Sequence, residues 1–157
     1  MLREYPANRG SPSIDKERFS LLCEEMISYF QIESDETNQP RLLLTAAVAA
    51  GYSTVASAYD IGRVSAALDY IHLMSYDLHG GWDTHIGHHS QYKAHSTDSN
   101  NKLNTEYALN LWIDGGCPPS KMVFGMPAYG RGFKTVGNAH AGSIGEAAAV
   151  SNKKNDS

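Results

Sequence analysis

The sequence predicts an α/β fold in which parallel strands alternate with helices. Three observations lead there. Apolar residues recur at three- and four-residue spacing in three segments, each of which is followed by a short apolar run of strand length. The resulting order is helix, strand, helix, strand, helix, strand, the alternation that parallel sheets require. At 157 residues, 41% hydrophobic and 19% charged, the chain has the composition and length of one globular domain.

The first helix is read from "DKERFSLLCEEMISYF", where Phe19, Leu22, Cys23, Met26, Ile27 and Phe30 form one stripe. Ser13 is predicted to cap it, and Asp15 and Glu17 suit the positive end of its dipole. Polar "ESDETNQP" ends the pattern. "RLLLTAAVAAG" follows, apolar on both faces and closed by Gly51, as a buried parallel strand should be. "YDIGRVSAALDY" reads as a short helix through Ile61, Val64 and Leu68, and "YIHLMSYD" as the second strand.

A polar loop over residues 79–103 comes next, rich in His, Gly, Ser and Asn. Asn104 is placed to cap "TEYALNLWID", whose stripe is Tyr107, Ala108, Leu111 and Trp112. Gly115-Gly116 ends that helix and Pro118-Pro119 prevents its resumption. "KMVFGMP" is the third strand. Beyond Phe133 no period is sustained, and residues 138–157 are predicted to lack fixed structure.

Several function classes are disfavoured. Net charge is −4 without a cluster of Lys and Arg, which argues against nucleic acid as the partner. No stretch has the apolar length of a bilayer span, so no membrane partner is expected. Met1-Leu2-Arg3-Glu4 leads into polar loop and does not read as a signal peptide. Cys23 and Cys117 allow one disulfide at most, and the place of Cys23 on an apolar stripe favours a buried free thiol. His79, His85, His88, His89 and His95 share one loop, but their spacing is irregular and no Cys or HExxH accompanies them. They are read as solvent-facing polar residues, with no metal implied.

Chemistry concentrates after the second and third strands. "MSYDLHGGWD" sets Met74, Tyr76, Asp77, Trp82 and Asp83 at and just past a strand end, with Met74 and Tyr76 on the same side. "GMPAYGRGF" adds Tyr129 and Arg131. Phenol, carboxylate and indole together suit a sugar, whose ring stacks on aromatics while its substituents take hydrogen bonds. The absence of a glycine-rich phosphate turn weakens a nucleotide site. Residues at strand C-termini serve ligands in both open doubly wound sheets and closed eight-stranded barrels, so this alone does not separate the two.

Together with "REYPANRGSPSIDKERF", these motifs resemble the chitinases of glycoside hydrolase family 18. The opening segment looks like the end of that family's fourth-strand motif, Asp-x-x-Asp-x-Asp-x-Glu. "LLLTAAVAAG", "LMSYDLHGGWD" and "MVFGMPAYGRGF" look like its fifth, sixth and seventh strands. The resemblance implies a fragment of a (β/α)8 barrel, three strand–helix units long and unable to close. Residues 1–137 would form part of the catalytic domain. It also implies retaining, substrate-assisted hydrolysis of β-1,4-linked N-acetylglucosamine polymers, in which the substrate's acetamido oxygen is the nucleophile.

By the same resemblance Glu4 would be the general acid, Tyr76 would hold the acetamido carbonyl, and Asp77 would bind a sugar hydroxyl near the cleaved bond. Trp82 would stack on a sugar, Tyr129 and Arg131 would bind sugars, and Tyr5 and Met74 would line the cleft. The implied partners are chitin or chito-oligosaccharides, the implied location is extracellular, and no cofactor is involved. Two positions depart from the family. Leu2 stands where the last Asp of the motif belongs, and Arg3 where Trp is usual. The loss of that Asp makes a non-catalytic, lectin-like chitin-binding protein the alternative.

Overall fold

The computed structural model describes residues 12–98, 100–136 and 143–150. Glu4, Tyr5, Leu2 and Arg3 lie outside the described residues. The predicted alternation is present: α1 (Asp15–Thr37), β1 (Thr45–Ala49), α2 (Tyr52–Ala58), α3 (Ile61–Ala67), β2 (Tyr70–Met74), α4 (Thr105–Asp114) and β3 (Met122–Phe124). The three strands form one parallel sheet in the order β1-β2-β3, with Val48 opposite Leu73 and Leu73 opposite Phe124. A short antiparallel pair, β4 (Lys134–Thr135) and β5 (Ala148–Ala149), stands apart from it.

Helix α1 starts differently from the sequence reading. The Ser13 side chain accepts no capping hydrogen bond; instead the carbonyls of Pro12 and Ser13 accept the amides of Asp15 and Lys16 in a turn that leads into the helix. Cys23 is buried on the inner stripe, and Phe19, Met26, Ile27 and Phe30 pack partly buried beside it. Leu22, one position off the centre of that stripe, is exposed. Both cysteines are free and buried, and burial pushes the Cys23 thiol up to about 11. Helix α2 was not legible as a separate element. It is a short run mostly of Ser, Thr and Ala around Val55, and it ends where Tyr59 turns extended so that Asp60 can accept the Arg63 amide and cap α3. Asn104 caps α4 through the Tyr107 amide as predicted, and Gly116 at φ 105° ends it.

The core lies between one face of the sheet and the helices. Val48, Ile71 and Leu73 point into it and meet Val55, Val64, Leu68, Ala108 and Trp112, all of them buried. Trp112 donates its indole N–H to the Ala49 carbonyl at 3.1 Å and leans on Tyr59. Charged contacts fix the ends where the strands begin. Asp69 accepts from Arg41 and from the Leu44 amide, which sets β1 beside β2. Lys121 donates to the carbonyls of Ser65 and Leu68, which seats the start of β3. Arg63 bridges Glu17 and Glu24 and so ties α3 to α1.

The other face of the sheet is bare. Thr45 and Ala47 of β1, Tyr70 and His72 of β2, and Val123 of β3 are exposed on it. The run that reads as buried on both sides is therefore buried on one. Three strands with their usual tilt cannot wrap round to shield their own inner face.

Part of the segment expected to lack structure has partners. Ala148 and Ala149 pair with Thr135 and Lys134, and residues 144–148 hydrogen-bond to the loop at Thr84, Ile86 and Thr97. Apart from the Thr97 hydroxyl, backbone donors and acceptors supply this contact, which is why no side-chain periodicity announced it.

Candidate functional site

The open ends of the strands are tied to one another by backbone and hydroxyl groups. Ser75, just past β2, donates to the Gly125 carbonyl at 2.8 Å, and Ser90 donates to the Ser75 carbonyl at 2.7 Å. The Gly125 amide donates to the Leu73 carbonyl at 3.0 Å. A side chain at Gly125 would put its Cβ 2.5 Å from that carbonyl oxygen and 3.0 Å from the Tyr76 ring. Gly125→Ala is accordingly expected to push the end of β3 away from β2. It should cost about 1–3 kcal/mol of stability, as overpacking does, read as a lower urea midpoint.

Beyond this seam the chain turns sharply. Asp77 takes a left-handed conformation, φ 57°, a region that aspartate tolerates better than most residues. The turn aims its carboxylate at the loop after β3. There Oδ1 accepts the Tyr129 hydroxyl and Arg131 Nε, both at 2.7 Å, and Oδ2 accepts an Arg131 terminal nitrogen at 2.7 Å. The Arg131 contact is the bidentate fork that suits guanidinium and carboxylate. Hydrogen bonding from Arg131, then from Tyr129, holds the Asp77 carboxyl below the usual carboxylate range. The same contacts push the Tyr129 phenol and the Arg131 guanidinium up.

Aromatic rings gather round this ion pair. The Arg131 guanidinium lies 5.2 Å from the Tyr129 ring centre and 5.5 Å from that of Trp82, within cation–π range of both. Tyr76 meets Tyr129 edge to face at 6.2 Å. Trp82 is half exposed and rests over Gly80, where a Cβ would stand 2.4 Å from its ring. Met74, Tyr76 and Asp77 also line a cavity of about 220 Å³ with Ala49, Gly51 and Thr54.

Six of the eight residues singled out in the sequence (Met74, Tyr76, Asp77, Trp82, Tyr129 and Arg131) are thus brought to one end of the sheet. Glu4 and Tyr5 lie outside the described residues. Asp77 and Arg131 are 54 positions apart, and only the parallel pairing of β2 with β3 makes them neighbours.

The histidine loop is partly folded inward. His79 is buried, not solvent-facing. Its ring packs on Gly87, where a Cβ would lie 2.6 Å away, and its Nδ1 lies 3.1 Å from the Asp83 carboxylate. His89 is mostly covered as well and touches both Asp77 and Tyr129. The sequence marked His89 only as one of several loop histidines, because nothing in the spacing tells which of them folds back on the strand tips. Among the described residues no group of three His, Cys, Asp or Glu is placed to hold a metal ion.

With the geometry in hand, comparison with known proteins gives a consistent picture. The profile described as glycosyl hydrolases family 18 matches residues 2–156. Chitotriosidase-1 of Mus musculus is 38% identical over 141 residues, which is 88% of this chain and 30% of that protein. The crystal structure of catalytic domain 2 of the Ostrinia furnacalis Group II chitinase superposes with a TM-score of 0.78 at 35% identity, covering 88% of this chain and 34% of that one. Human YKL-39, described as a pseudo-chitinase with retained chitooligosaccharide binding, superposes with a TM-score of 0.77 at 32% identity, covering 85% and 38%. The chain spans about a third of the length of these relatives.

Proposed function

The chain belongs to glycosyl hydrolases family 18, its sheet being three strands of an incomplete (β/α)8 barrel, and from that premise we propose that its strand tips form part of a cleft for chitin or chito-oligosaccharides. The observation that carries the proposal is the meeting of Tyr76, Asp77, Trp82, Tyr129 and Arg131 at one end of the sheet. Flat ring faces beside a fixed carboxylate and guanidinium offer an N-acetylated sugar both stacking and hydrogen bonds.

In the catalytic form of the proposal, Glu4 protonates the leaving glycosidic oxygen while the acetamido oxygen attacks the anomeric carbon. The glycosidic bond breaks and an oxazolinium ion forms. Glu4, now a carboxylate, takes a proton from water, whose oxygen attacks the same carbon, opens the ring and restores the original configuration. Tyr76 steadies the acetamido carbonyl, Asp77 binds a hydroxyl, Trp82, Tyr129 and Arg131 hold flanking sugars, and Tyr5 and Met74 line the cleft. No metal or organic cofactor enters, and the setting proposed is extracellular.

A second reading keeps the binding and drops the hydrolysis. Leu2 favours it, since leucine supplies none of the charge or hydrogen bonding that the family's Asp gives the oxazolinium. Likeness to a pseudo-chitinase that binds chitooligosaccharides supports it too.

Both readings share one test. Titration calorimetry of the 157-residue chain with chitopentaose should show saturable binding, and cellopentaose, which lacks acetamido groups, should bind far more weakly. Equal affinity for the two would remove the acetamido part of the proposal. Binding of neither would remove the cleft.

A further inference from the structure

One side chain touches both halves of the strand-tip cluster although no family motif points to it. His89 stands in the loop after β2, its side chain 14% exposed. Its Nδ1 lies 3.4 Å from the Asp77 amide, and its Nε2 lies 3.0 Å from the Tyr129 carbonyl. Its ring leans on the Tyr129 ring with centroids 5.0 Å apart. Its own carbonyl accepts the Leu78 amide at 2.9 Å, which locks the loop beside the turn at Asp77.

These contacts define a tautomer. A backbone amide only donates, so Nδ1 must accept; a backbone carbonyl only accepts, so Nε2 must carry the proton. We infer that His89 is a positioning residue of the cleft, bridging the Asp77 amide and the Tyr129 carbonyl as the neutral Nε2–H imidazole, so that protonating it loosens the carbohydrate site.

The groups around the ring give the direction of the effect. The Asp77 carboxylate lies 3.7 Å from Nδ1, with Arg131 on its far side and the Tyr129 phenol beside it. No other ion pair of His89 occurs among the described residues. A proton on Nδ1 sets donor against donor at the Asp77 amide. It also pulls Oδ1 toward the ring, in competition with the Tyr129 hydroxyl and Arg131 Nε, which use that same oxygen. Asp77 itself stays ionised between pH 7.5 and 5.5, because Arg131 and Tyr129 keep its carboxyl low. Histidine protonation is the charge change that mild acidification generally brings to proteins.

The functional half of this inference rests on the carbohydrate reading above; the structural half does not. Chitopentaose affinity of the 157-residue chain should fall about three- to tenfold from pH 7.5 to 5.5, the scale of one lost hydrogen bond. His89→Ala should lose a similar factor at pH 7.5. His89→Asn, which offers an uncharged acceptor at the place of Nδ1, should recover most of that loss and flatten the pH profile. An Asn variant that follows the wild-type profile would overturn the inference. Nitrogen-15 spectra of the histidine rings give a ligand-free arm: at pH 7.5 they should show His89 with its proton on Nε2, and a proton on Nδ1 would overturn it equally. A chain with that tautomer and no affinity for chitopentaose would fail the carbohydrate reading and leave the bridge standing.

Discussion

In a chimaera that surrounds this chain with the remaining strands of a full-length relative, Glu4→Gln is expected to lower hydrolysis of a fluorogenic chitotrioside by roughly 10²–10⁴-fold, the usual contribution of a general acid. Glutamine keeps the shape of the side chain and removes the proton that, in the catalytic form of the proposal, goes to the leaving oxygen. The companion substitution runs the other way. Leu2 stands where the family's fourth-strand motif carries its last Asp, two positions before Glu4. Leucine offers the oxazolinium of the catalytic form of the proposal no counter-charge. Leu2→Asp should therefore raise turnover by about 10²–10³-fold, the value of one preorganised stabilising group. A chimaera that binds chitotriose and shows no turnover with either residue at position 2 would leave the binding reading alone in the field.

The parts of the fold that could be read ahead of the structure are those written in side-chain chemistry. Helix α4 has both a capping Asn104 and a closing glycine pair, and both act as their residue types suggest. The three strands stand out because each is a short apolar run with a helix before it. Helix α2 escaped notice because its seven residues, mostly Ser, Thr and Ala, show no period distinct from a turn. The Ala148–Ala149 pairing escaped for a related reason, being made by main-chain groups that every sequence possesses. The apolar run at Leu42–Ala49 is a case where pattern and outcome diverge. It is composed for burial on both faces, yet Leu43 and Ala47 are exposed, because burial of the inner face depends on strands that are not in this chain.

The site was legible as two clusters and illegible as a network. Tyr76 and Asp77 on one strand tip, and Tyr129 and Arg131 after another, are visible as residue types suited to a sugar. That the Asp77 carboxylate is already engaged by Tyr129 and Arg131 is a property of three-dimensional register, fixed by the pairing of Leu73 with Phe124. His89 is the clearer case. Its role depends on which of five loop histidines the backbone returns to the strand tips, and that choice is made by the Leu78–His89 backbone bond.

Asp77→Ala is the substitution expected to do most damage to binding. Among the described residues the carboxylate is the group that hydrogen-bonds both Tyr129 and Arg131, so its removal leaves the loop after β3 held to the tip of β2 by the weaker Tyr76 and His89 contacts. Arg131 would lose its fork and keep its contacts with the Trp82 and Tyr129 rings, and alanine would have to hold a left-handed φ that aspartate tolerates better. Chitopentaose affinity should fall by about 10- to 100-fold, the range for losing hydrogen bonds to a charged group. Asp77→Asn separates charge from shape: it keeps the backbone tolerance and one acceptor, so its loss should be smaller and should not be recovered at any pH. The pH dependence follows from the depressed carboxyl. Because the folded state holds this proton less tightly than the unfolded chain, the contribution of the pair to stability is fully present above the ordinary carboxylate range and is lost as pH falls through the lower folded-state value. In a His89→Asn background, where the neighbouring imidazole does not contribute, unfolding curves with Asp77 and with Asp77→Asn should therefore stay a constant distance apart from pH 7 to about pH 5 and converge only below the usual carboxylate range. Convergence already near neutrality would mean that the Arg131 fork does not hold Asp77 in solution.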